Sequence, residues 1–102
     1  MDPDRVFDAL ASGARRRMLG LLAQGERTTT ELAVRFALSM PAVSRHLSVL
    51  ESAGLVAGRR DGQRVRYALV RDTLMEALSA LATELSAAAP EPARAKPRRE
   101  AI

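Results

Sequence analysis

The stretch SMPAVSRHLSVLESAGLV runs from Ser39 to Val56. It opens on a hydroxyl residue and a Pro, continues in a helical pattern with few charges, and ends at a Gly. Val43, Leu47 and Leu50 recur at i, i+4 and i+7, which defines one buried face of a helix. At ~100° per residue, Pro41, Arg45, Ser48 and Ser52 fall on the opposite face, with Ser44 on one flank and His46 on the other. An ordinary solvent-facing helix shows several charged residues there. Small polar side chains around a single Arg suit close approach to another molecule. Short side chains let a helix backbone reach base edges in the major groove of B-DNA, and an Arg can bond guanine through both O6 and N7.

A second group follows in LVAGRRDGQRVRYAL. Asp61-Gly62 is a strong hairpin signal, and Val65, Tyr67 and Leu69 alternate on one face of its second strand. Arg59, Arg60, Arg64 and Arg66 crowd the turn. Between Ser39 and Arg66 five basic residues stand against Glu51 and Asp61. A basic hairpin beside such a helix offers contacts to phosphates or to a minor groove. The bland alternative for each of these Arg is a solvated surface charge.

Catalysis finds no support. The chain has no Cys and one His, His46. It shows no Gly-rich phosphate loop and no paired-carboxylate signature. One His cannot form a metal site, so His46 is expected to make a structural hydrogen bond or touch a phosphate. No catalytic residue, metal site or cofactor is expected.

The elements that must position these residues are legible. Asp2-Pro3 starts a first helix with Val6, Phe7 and Leu10 as its apolar stripe. Ser12 caps a second, with Ala14, Met18, Leu21 and Leu22 inward and Gly25 at its end. Arg15, Arg16 and Arg17 open that helix, and Arg16 is expected outward and solvated or salt-bridged. Thr28-x-x-Glu31 is a capping box for a third helix, with Leu32, Ala33 and Phe36 toward the core. Ser39 caps the fourth, over 39–53, with Gly54 as its stop. The hairpin follows. A last helix from about Asp72 to Ala88 carries Leu74, Leu78, Leu81 and Leu85 at spacings of 4, 3 and 4, a coiled-coil-like seam widened by Met75 and Ala82. That seam could pack on the chain's own core or on a second copy; a dimer is expected, with help from Val6 and Phe7. The fold class is mainly α with a small β-hairpin (α+β), in the order α1-α2-α3-α4-β1-β2-α5, the pattern of a winged helix-turn-helix.

The 102 residues suggest one domain, taken as 1–88. Residues 89–102, APEPARAKPRREAI, hold three of the five Pro and read as a disordered tail. The net charge is +4, from 15 Arg and one Lys against 12 acids. Codon bias in a GC-rich genome would also produce many Arg, so position matters more than total. The tail takes half of the excess, and residues 39–66 alone are net +3. A core with two Phe, one Tyr and no Trp is small, another reason to expect a partner subunit. No apolar run approaches the ~20 residues that span a bilayer, and MDPDRVFDAL is not signal-like, so a cytoplasmic location without membrane contact is expected.

The segments FDALASGARRRMLGLL, TTTELAVRFALSMPAVSRHLSVLESAGLV and GRRDGQRVRYAL resemble, in order, the ArsR/SmtB family of bacterial transcriptional regulators, over about residues 4–86. The resemblance implies a homodimer, joined through its first and last helices, that binds double-stranded operator DNA and usually represses until an inducer releases it. It implies that the helix from Ser39 reads DNA. The expected contacts are Ser39, Met40, Pro41, Ser44, Arg45, His46 and Ser48, with the wing's Arg59, Arg60, Arg64 and Arg66. The chain departs from the family's sensors. Where thiolate sensors carry ELCVCD, it has ELAVRF, with Ala33 and Arg35 in the thiolate positions. Where zinc sensors place His and carboxylates on the last helix, it has Asp72, Glu76 and Glu84, read as solvent-facing charges. Two alternatives stay open: a winged-helix protein-interaction module that does not touch DNA, and a regulator controlled by a partner protein, a small molecule or a non-thiolate metal.

Overall fold

The computed structural model of the protein describes residues 1–87. The expected tail, 89–102, lies outside the described residues, as does Ala88. The elements are α1 (Pro3–Leu10), α2 (Gly13–Leu22), β1 (Arg27–Thr28), α3 (Thr29–Phe36), α4 (Met40–Ser52), β2 (Val56–Asp61), β3 (Arg64–Leu69) and α5 (Arg71–Ala87).

Helix starts follow from local hydrogen bonds that satisfy otherwise unpaired N–H groups. The Asp2 carboxylate accepts from the N–H of Asp4, and Ser12 Oγ from that of Arg15. The capping box closes as expected: Thr28 Oγ1 accepts from Glu31 N–H at 3.1 Å, and Glu31 Oε1 from Thr28 N–H at 2.8 Å. Ser39 Oγ caps α4 at Ala42 N–H, with Pro41 in the first turn. Between α3 and α4, Ala37 sits in the left-handed region at φ 54°, which turns the chain sharply at some cost for a residue with a Cβ.

One core joins the helices. Val6 and Ala9 of α1, Met18, Leu19 and Leu22 of α2, Leu32 and Ala33 of α3, and Val43, Leu47 and Leu50 of α4 are all buried. Leu55, Val56 and Ala77 complete it from the segment after α4, from β2 and from α5. Leu21, given an inward place, is only half-buried, and Leu19 takes the interior position instead.

The sheet has one strand more than expected. Thr28, buried, and Arg27 pair antiparallel with Arg66 and Tyr67, giving the order β1-β3-β2. A two-residue strand has no alternation to detect. Its pairing depends on β3, which lies almost forty residues away in sequence.

The hairpin turn also shifts by one residue. Asp61 pairs with Arg64, so the loop is Gly62-Gln63. Within the hairpin, positive φ occurs at Gly62, 67°. Gly at the first loop position is the type II′ arrangement rather than the Asp-Gly type I′.

Gly58 lets the wing close. A Cβ there would stand 2.9 Å from Cε1 of Tyr67 and 3.1 Å from Cγ1 of Val65. Tyr67, directly opposite Gly58 in the register, therefore lies across the glycine. Gly58→Ala should displace the Tyr67 ring and destabilise the domain by ~1–3 kcal/mol, as overpacking does. Urea denaturation followed by circular dichroism checks this, and an unchanged midpoint would refute it.

Candidate nucleic-acid interface

The buried triad of α4 decides what the helix shows outward. With Val43, Leu47 and Leu50 in the core, Met40, Pro41, Ser44, Arg45 and Ser48 are exposed. Met40 is the one large apolar side chain among them, at 44% exposure. Arg45 is the one Arg of α4. Ser39 is exposed too, but its hydroxyl is spent on the helix cap. From Met40 to Ser48 the exposed side chains beyond that cap are short apart from Met40 and Arg45, as a fit into a groove requires.

Ser52 is exposed on the outward side, as expected, and its hydroxyl has a partner. Its Oγ accepts from Nη1 of Arg5 at 2.8 Å, so α1 ties down the last turn of α4. Arg5, Asp8, Ser48, Val49 and Ser52 line a shallow groove of about 310 Å³ between the two helices.

His46 is half-buried on the flank, and Arg15 approaches its Nδ1 at 3.5 Å. The Arg cluster of α2 serves α1 here. Arg15 Nε donates to the carbonyl of Ala9 at 2.8 Å and Nη2 to that of Asp8 at 3.3 Å. Arg16, expected to be solvated or salt-bridged, donates from Nη1 to Leu10 O at 2.6 Å. Two cations thus close the last carbonyls of α1, where the helix dipole favours them. Sequence periodicity assigns Arg16 a direction but cannot see that a neighbouring helix ends beside it.

The wing places its four Arg unequally. Residues directly opposite in an antiparallel pair share a face. Arg59 faces Arg66 and Asp61 faces Arg64, while Arg60 faces Val65 on the other side. Glu26 holds Arg59 at 2.9 Å, and Asp61 holds Arg66 at 2.7 Å. Among the described residues, Arg60 and Arg64 have no carboxylate within ion-pair distance. The Arg66 hydrogen bond keeps the Asp61 carboxyl below the usual range, and the capping N–H of Thr28 does the same for Glu31. The pairs on Arg59 and Arg66 are solvent-exposed and worth little, ~0–1 kcal/mol, so both Arg can exchange a carboxylate for a phosphate.

The expected dimer residues divide. Val6 is fully buried in the chain's own core, beside Ala9 on the inward side of α1, so it cannot reach a partner; Phe7, one residue on and ~100° round the helix, is half-buried. Leu74 packs against the same core. Leu78, Leu81 and Leu85 are exposed at 41%, 38% and 66%, with Met75 at 57%. Met1, Phe7, Ala77 and Leu81 line a groove of about 300 Å³ where α1 meets α5. On the rest of α5, Asp72, Glu76 and Glu84 are exposed. Among the described residues, no three groups of metal-ligating type converge, and no helix is long and apolar enough to cross a membrane.

A helix-turn-helix with α4 as its second helix, followed by a β-hairpin on a three-stranded sheet, is a winged helix-turn-helix domain. The family model "Bacterial regulatory protein, arsR family" matches residues 12–57. The transcriptional repressor SdpR of Bacillus subtilis (strain 168) is 33% identical over 76 residues, which cover 74% of this chain and 84% of that protein. A probable mercury resistance operon repressor of Streptomyces lividans is 43% identical over 65 residues, 64% of this chain, and the chain spans about half, 52%, of that relative's length. The solution structure of a homodimeric winged helix-turn-helix DNA-binding domain from Mycobacterium bovis, from a possible ArsR-family transcriptional regulator, superposes with a TM-score of 0.68 at 31% identity, covering 90% of this chain and 86% of that one. The chain belongs to the arsR family of bacterial regulatory proteins.

His46 should make the domain sensitive to mild acid. Burial, then Arg15, then Arg45 lower its pKa below the ordinary 6.5. The unfolded chain therefore takes up this proton at higher pH than the folded one. The residue's contribution to stability is whole above about pH 6.5 and is lost as the pH falls through the folded value. Asp61 and Glu31, also lowered, lose theirs only at more acid pH. Urea denaturation at pH 7.5 and 5.5 should show the wild type losing more stability than His46→Gln; equal losses would show that His46 titrates freely.

Proposed function

We propose that this protein is a transcriptional regulator that binds a palindromic operator as a homodimer and represses in its DNA-bound form, in the cytoplasm. The exposed face of α4 carries the proposal. It is small, polar and singly cationic, and it is fixed outward by the burial of Val43, Leu47 and Leu50. In this assignment α4 enters the major groove and Arg45 reads a base. Ser39, Met40, Pro41, Ser44, His46 and Ser48 line the approach, and the wing holds phosphates through Arg60 and Arg64, joined by Arg59 and Arg66. A protein-docking module would instead want an apolar patch on α4, and Met40 alone does not make one.

The exposed leucines of α5 are the proposed dimer seam, with Phe7 at its edge. Relatives named as repressors and a homodimeric structural neighbour support both parts. The released state is not set by thiolate metal binding, since the chain has no Cys and soft metals require such ligands.

Base contacts specify whereas phosphate contacts hold. Arg45→Ala should cost ~1–3 kcal/mol per half-site and relax preference at one base pair. Arg60→Ala or Arg64→Ala should weaken operator and scrambled duplexes alike and lower the salt slope by ~1 for each phosphate left without its cation. Fluorescence anisotropy across a salt series separates them. Equal weakening of both duplexes by Arg45→Ala, with sequence preference abolished in a wing variant, would reverse the roles.

Burying a Leu is worth ~1.5–3 kcal/mol, so the double variant Leu78→Glu/Leu81→Glu should be monomeric in sedimentation. A wild type that is itself monomeric at micromolar concentration would refute the seam.

A further inference from the structure

Arg15 fixes more than the end of α1. Its Nε and Nη2 are occupied by the carbonyls of Ala9 and Asp8, and Nη1 is then left facing His46 Nδ1 at 3.5 Å. A guanidinium is always charged and only donates. As a hydrogen bond, this contact requires Nδ1 to present its lone pair. A neutral imidazole carries one ring proton, which leaves it on Nε2. That N–H lies across the ring and points away from Arg15. Burial and the two flanking cations, Arg15 and Arg45, favour the neutral ring. His46 stands on the flank of α4, beside the line of Arg45 rather than on it.

We propose that Arg15 is a positioning residue that holds His46 as its Nε2–H tautomer, and that His46 donates this proton to a phosphate oxygen at the edge of the groove α4 occupies. The second half rests on the DNA-binding function proposed above; the first half does not.

His46 is the chain's only histidine, so a long-range ¹H–¹⁵N spectrum of the free protein reads a single imidazole. The expected result is a proton on Nε2 and an unprotonated Nδ1, and a mixture of tautomers in Arg15→Lys, whose single ammonium cannot span both carbonyls and the ring. A proton on Nδ1 in the wild type, or an unchanged tautomer in Arg15→Lys, overturns the role of Arg15. In anisotropy, His46→Gln, whose amide reaches the Nε2 position, keeps a donor there and is the reference for the phosphate contact. His46→Asn, whose amide matches Nδ1, should bind about tenfold more weakly per half-site, the factor of one charge-assisted hydrogen bond. That weakening should be equal on operator and scrambled duplexes. The salt slope should not change, because a neutral donor displaces no counterion. Equal affinities for the Gln and Asn variants, or a weakening confined to the operator, overturn the phosphate contact. A wild type that binds no DNA refutes the parent function whatever the spectrum shows.

Discussion

The burial of Val43, Leu47 and Leu50 is the constraint on which the surface depends. Three apolar side chains on one stripe of a 13-residue helix fix its rotation about its own axis. A helix rotated by one residue would turn ~100° and bring Ser44 or Ser48 into an apolar core without partners, at a cost of ~1–3 kcal/mol each. The outward set is thus a consequence of the inward one. Arg45 is aimed by the apolar side chains on the far side of its own helix. Around this axis the other elements act as braces: Arg5 holds the last turn through Ser52, Arg15 reaches His46 in the middle, and Ser39 closes the first turn.

Charge is arranged rather than abundant. Through residue 88 the chain is close to balance, with 12 basic and 10 acidic residues, so within it attraction to DNA depends more on where the charges sit than on their sum. The sheet brings Arg59, Arg64 and Arg66 to one face of the hairpin and leaves Arg60 on the other. Asp61 and Glu26 sit among them as exchangeable partners. Acidic residues gather instead on α1 and its cap, where Asp2, Asp4 and Asp8 flank Arg5 in the chain.

Much of this is legible in the sequence because it rests on short-range rules. The caps at Asp2, Ser12, Thr28 and Ser39 are local hydrogen bonds, and the α4 stripe is a periodicity within eight residues. The hairpin is legible in place but not in turn type, because a Gly after an Asp satisfies two loop registers. What stays hidden depends on distant partners. Thr28 becomes a strand only when Arg66 lies beside it, and Arg15 becomes a cap only where α1 ends. Leu74 and Leu78 look alike in the seam, yet only packing decides that Leu74 meets its own core while Leu78 remains open.

The proposed function stands or falls on whether the α4 face and the wing meet DNA together. Backbone amide shifts of the ¹⁵N-labelled protein, titrated with a duplex from upstream of its own gene, test this most directly. The perturbed amides should cluster at 39–48 and 59–66, with α5 and the α2–α3 surface unmoved. Perturbation centred on Leu21, Val34 and Arg35, with the Arg45 amide unchanged, would contradict it.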